Sequence, residues 1–213
     1  MSSRVVTVRP SWGELSRFAD HHERGELLLE WSSDLTDDDH WRAVADVWVD
    51  CDRQSITPAE WRDLWLADRP GREHTMTNEE RAALAALPER VAVYRGVDGF
   101  TTPNGRRGHG LSWTLDRDLA HWFADRGGGG RLTEDDSGGF VQIGHVLRHR
   151  IMAFLRNRNE SEIVVLPKYI YARSDELFDP DRVARHLADR EARHAQFIED
   201  FQAERRLAGG DNV

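Results

Sequence analysis

The residues whose types and spacing best suit chemistry are Glu160 and Glu162, in the stretch Arg156-Asn-Arg-Asn-Glu-Ser-Glu-Ile-Val-Val-Leu166, where a polar segment runs into an apolar one. If 160–165 is extended, side chains alternate faces, so Glu160 and Glu162 share one side and Ser161 takes the other. Two like charges that close disfavour each other's ionisation unless a cation lies between them. The pair therefore suits a substrate that becomes cationic. A sugar losing its leaving group at the anomeric carbon does so, through an oxocarbenium-like state that a fixed carboxylate stabilises. A solvated Glu-x-Glu at a strand start has the same pattern, since exposed acidic residues are ordinary. The rest of the chain has to decide between the two.

At 213 residues the chain is long enough for a substantial core without staples. Its one cysteine, Cys51, excludes an internal disulfide and a cysteine-rich zinc site, so no metal is expected and a reducing, cytoplasmic setting fits. No apolar run approaches the roughly 20 residues of a membrane span, and the N-terminus lacks a signal-peptide core. A net charge of -9 argues against holding nucleic acid by bulk electrostatics. A local basic patch stays possible: Arg148, Arg150, Arg156 and Arg158, with His145 and His149, crowd the approach to the acidic pair, as an anion site or as a solvated strand face.

The elements that must position these residues differ along the chain. Residues 11–87 read as helices. Ser11 with Glu14 and Thr77 with Glu80 are capping boxes, and Thr57-Pro58 is a cap followed by a first-turn proline. Leu15 and Phe18 give the first helix an apolar edge; Val44, Val47, Trp48 and Cys51 form one buried stripe; Trp61, Leu64 and Trp65 face inward. Tryptophans at helical spacing read as core packing. From Val91 the period changes. Residues 91–96 read as a strand ending in Arg95-Gly96, with Gly96 allowing close approach to its backbone. Residues 99–110 and 127–139 read as loops, the second mobile. Gly110-Leu-Ser112-Trp-Thr114 reads as a strand, and Asp116 caps a helix with Leu119, Ala120 and Phe123 inside. One or two strands follow over 140–154 and another over 163–166. Asp179-Pro180 opens a long helix, ended by Gly209-Gly210, that packs by the edge carrying Ala184, Leu187, Ala188, Ala192, Ala195 and Ile198.

Three pieces then stand in order: Tyr94-Arg95-Gly96, Ser112-Trp113-Thr114 before a helix, and Glu160-Ser161-Glu162 before Ile-Val-Val, with 17 residues from Arg95 to Ser112 and 50 from Ser112 to Glu162. This set resembles the Arg-Ser-Glu class of mono-ADP-ribosyltransferases over roughly residues 89–178. The resemblance implies an α+β ADP-ribosyltransferase-like fold, with two small, mainly antiparallel sheets forming an NAD cleft. The division it implies is a helical lobe at 1–88, a catalytic core at 89–178, and a C-terminal helix and tail at 179–213. Arg95 would bind a phosphate of NAD, and backbone groups at Gly96 the nicotinamide carboxamide. Ser112 would orient the catalytic acid Glu162, Thr114 would support that wall, and Glu160 would engage an acceptor guanidinium. Trp113, where the motif more often has Thr, packs in the core in this reading. Phe123 and Phe140 are candidates to stack on nicotinamide, or are core.

The expected activity is transfer of ADP-ribose from NAD to a macromolecule, protein arginine first. NAD glycohydrolysis, transfer to nucleic acid, and a non-catalytic module in which residues 11–87 and 179–207 bind a partner are the rivals.

Overall fold

The structure is a computed structural model that describes residues 10–50, 56–97, 110–126, 139–156 and 160–209. Cys51, Arg158, Gly210 and the loop expectations for 99–109 and 127–138 lie outside the described residues. The fold is α+β, with seven helices and six strands among those residues. The helices are α1 (Trp12–Ser16), α2 (His21–Trp31), α3 (Asp37–Asp50), α4 (Pro58–Trp65), α5 (Asn78–Ala86), α6 (Arg117–Arg126) and α7 (Pro180–Gly209). The strands are β1 (Arg90–Val97), β2 (Ser112–Thr114), β3 (Phe140–Leu147), β4 (Ala153–Leu155), β5 (Glu162–Val164) and β6 (Tyr171–Leu177). In place of two small sheets, the described strands form one six-stranded sheet in the order β4-β5-β2-β1-β3-β6. The pairs β1–β2 and β4–β5 are antiparallel.

Contacts divide the chain into two compact units: residues 1–91, 109–113 and 145–171, and residues 92–108, 114–144 and 172–213. In the first unit, α1, α2, α4 and α5 each begin with a capping box, built on Ser11, Asp20, Thr57 and Thr77. Each such cap stabilises its helix by about 1 kcal/mol. The core joins Trp41, Val44 and Val47 of α3 and Trp65 of α4 to Leu155 of β4 and Val164 of β5. Trp41 and Trp65 have no exposed surface, and burial of that much apolar area contributes roughly 4–6 kcal/mol for each ring. Phe18, expected on an apolar edge, is 89% exposed, because α1 ends at Ser16 before that residue can face the bundle.

In the second unit, Ala120 and Ala124 of α6 pack on Val141 of β3. Asp116 caps α6, its Oδ1 accepting from the backbone of Asp118 and Leu119. Asp179 caps α7 in the same way through Asp181. Helix α7 packs on α6 through Val183 and His186, not through the expected stripe. From Leu187 through Ala203 every side chain of α7 is exposed, so its alanines and Ile198 lie on open surface. Among the described residues, no helix is long and apolar enough to cross a membrane.

Candidate functional site

Glu162 is the first residue of β5 and half-buried. Antiparallel pairing sets Ala153 opposite Val164, Phe154 opposite Ile163 and Leu155 opposite Glu162. Directly opposed residues project to the same face, so Ala153, Leu155, Glu162 and Val164 share one face. Three of these four belong to the core shared with the helices, so that face is the one the helices cover. Glu162 stands at the end of it. There Nε1 of Trp48, on α3, donates to Oε1 of Glu162 at 3.0 Å. The indole is itself braced edge-on by Trp61 and Trp65, with ring centroids 4.8 and 5.5 Å away at 84° and 90°.

Glu160 and Ser161 precede β5, outside any strand, and both are half-buried. Alternation along a strand therefore does not by itself put Glu160 on the side of Glu162, as an extended 160–165 would have done. Ser112 begins β2 and is half-buried. Beside it, the N–H of Val165 donates to the carbonyl of Leu111 at 2.9 Å, which ties the entry of β2 to the end of β5. Trp113 is buried, as expected of the residue facing away from Ser112.

Arg95, Gly96 and Thr114 belong to the second unit. Arg95 and Gly96 lie near the end of β1, where Tyr94 is paired with Thr114. Thr114 is buried, and its Oγ1 accepts from the N–H of Asp116 at 3.0 Å, so its hydroxyl shapes the turn into α6. Gly96 permits a close approach, and what approaches is α6. A Cβ at residue 96 would lie 2.2 Å from the carbonyl oxygen of Ala120, 2.5 Å from the nitrogen of Ala124 and 2.7 Å from Cβ of Phe123. Phe123 and Phe140 are both half-buried, Phe123 with its ring centroid 5.1 Å from that of Trp122.

Within the basic run, Arg148 and Arg150 have structural partners. Nη1 of Arg148 donates to the carbonyls of Ala85 and Leu87 at 2.5 and 2.6 Å, closing the C-terminal end of α5. Arg150 lies over the ring of Tyr169, 4.9 Å from its centroid, and the backbone N–H of Arg156 donates to Glu80 at 2.7 Å. Sequence reasoning missed Trp48, because its place on the Val44-Val47 stripe reads as core. The signal was its position at the edge of that stripe, where an indole N–H needs an acceptor.

No family model matches the chain, and neither a curated protein nor a solved structure shows significant similarity to it.

Proposed function

We propose that the chain is an NAD-dependent mono-ADP-ribosyltransferase whose acceptor is a protein arginine. The observation that carries this reading is the sheet order. Within the first unit, β5, which begins at Glu162, lies beside β2, which begins at Ser112, so the proposed acid and the residue that would orient it, far apart in sequence, stand on neighbouring strands.

In the reaction, the bond between the anomeric carbon and the nicotinamide nitrogen breaks, its electron pair leaving with nicotinamide. The acceptor's guanidinium nitrogen bonds to that carbon and gives up a proton to solvent. Glu162, with negative charge fixed beside the ribose, stabilises the positive charge that builds up between the two events. Arg95 supplies the cation that a pyrophosphate needs on a protein of net charge -9. Glu160 matches the paired donors of a guanidinium.

The test pairs two measurements on wild type and Glu162→Gln: nicotinamide release from NAD, and incorporation of label from adenine-labelled NAD into a protein pool. Loss of one electrostatic stabiliser lowers both about a hundredfold to a thousandfold. A Glu162→Gln protein that consumes NAD at the wild-type rate refutes the assignment. Hydrolysis without incorporation marks a glycohydrolase instead.

A further inference from the structure

We propose that Trp48 is a positioning residue for Glu162, so that helix α3, outside the segment carrying the three motifs, supplies part of the catalytic machinery. The inference rests on the reading of Glu162 as the acid that stabilises the ribose cation.

The two residues are 114 positions apart in sequence, and their indole-to-carboxylate distance is 3.0 Å. Three observations make this bond a device for orientation. The first concerns the donor. An indole N–H only donates, so it can hold a carboxylate but cannot exchange a proton with it at any ordinary pH. Trp48 therefore fixes where Glu162 points without competing for the role of acid or base.

Rigidity is the second. A hydrogen bond orients its acceptor only as well as its donor is itself held. The ring of Trp48 is wedged edge-on against both Trp61 and Trp65, and Trp65 is fully buried. Aromatic pairs in this arrangement contribute beyond their buried area and resist rotation. A carboxylate bound to a donor held in this way is set in orientation before reaction, as catalysis requires.

The third is selectivity among acceptors. The other two tryptophans whose indole bonds are resolved serve local structure: Trp41 donates to the carbonyl of Pro70 on the chain that covers it, and Trp12 to Asp46 of α3, a carboxylate that also lies 3.7 Å from Arg24. Trp48 instead reaches out of the helical layer to the one strand-borne carboxylate on the face it covers.

The experiment uses the full chain. Trp48→Phe keeps an aromatic ring against Trp61 and Trp65 and removes the N–H together with part of the indole. Loss of one such bond lowers kcat for nicotinamide release by the folded protein about tenfold, with KM for NAD unchanged, while the smaller ring lowers the thermal unfolding midpoint on its own account. A merely structural tryptophan shifts the midpoint and leaves kcat of the folded fraction intact. A second measurement needs no turnover: the indole N–H resonance of Trp48 in nitrogen-15-labelled protein, assigned by its disappearance in Trp48→Phe, shifts in Glu162→Gln, because its acceptor loses charge. Unchanged kcat in folded Trp48→Phe overturns the proposal, and so does an indole resonance indifferent to Glu162→Gln. If wild type releases no nicotinamide while the resonance responds, the enzymatic reading fails and this role with it, and the bond stands as structure alone.

Discussion

His121 of α6 and Glu176 of β6 share a bond that fixes the tautomer of the histidine. Nδ1 of His121 accepts from the backbone N–H of Asp179 at 3.1 Å, so the proton sits on Nε2, which donates to Oε1 of Glu176 at 2.8 Å. Arg117 grips the same carboxylate through Nε at 2.7 Å and through a second guanidinium nitrogen. The hydrogen bonds from Arg117 hold the Glu176 carboxyl below its ordinary range, against the upward push of burial and with help from His121. A folded-state pKa lowered in this way stabilises the protein above the carboxyl's unfolded value and ceases to do so as pH falls through the folded one. Glu176→Gln should destabilise the protein at neutral pH by roughly 1–2 kcal/mol, reduced by the partial exposure of Arg117. The gap to wild type should close as the pH drops below about 4 in chemical denaturation. A gap that stays constant with pH would show that the charge of Glu176 contributes nothing.

Gly96→Ala places a methyl group 2.2 Å from the carbonyl oxygen of Ala120, a backbone atom that cannot swing aside. The expected outcome is destabilisation of about 3 kcal/mol or more, from overpacking between β1 and α6. Denaturant unfolding measures it. Stability close to wild type would mean that α6 moves off β1 with ease, and any loss of NAD binding in that variant would then be local.

Arg95→Ala removes the cation assigned to the pyrophosphate. A charge-assisted hydrogen bond of about 1.5–3 kcal/mol translates into at least about tenfold weaker NAD binding. Calorimetry on the folded variant decides it, and unchanged affinity removes Arg95 from the site.

Glu160→Gln separates where the nucleophile lies from how nicotinamide leaves. Label incorporation into a guanidino acceptor should be lost, while nicotinamide release without acceptor keeps a large part of its rate. Equal loss of both would place Glu160 in the cleavage machinery.

The features legible in the sequence were those decided locally. Ser11, Thr57, Thr77, Asp116 and Asp179 cap helices because a short polar side chain and its neighbours two or three residues on are all that a cap involves. The strand read over Gly110 to Thr114 is β2, which ends at Thr114 as expected and begins two residues later, at Ser112. β6 was not legible: Tyr171-Ala-Arg-Ser-Asp-Glu-Leu has no alternation, and most of it is exposed. The extended run assumed from Glu160 was not legible as such, because β5 starts two residues later, at a boundary set by pairing with β4. The Trp48–Glu162 bond depends on that same register, which neither segment encodes alone.

Helix α7 has a further consequence. Val183 and His186 anchor its first two turns, and from Leu187 to Ala203 its side chains are exposed, with local pairs such as the 2.9 Å bond from Gln196 to Asp200 and the stacked rings of Phe197 and Phe201. Pairs of this kind contribute a few tenths of a kcal/mol each, too little to couple the far turns to the rest of the unit. Backbone amides at 183–188 should therefore exchange their hydrogens on the timescale of the second unit as a whole, and those beyond 190 orders of magnitude faster. A protease should shorten the helix stepwise from that end and stop near His186, with Glu176 and its partners still in place.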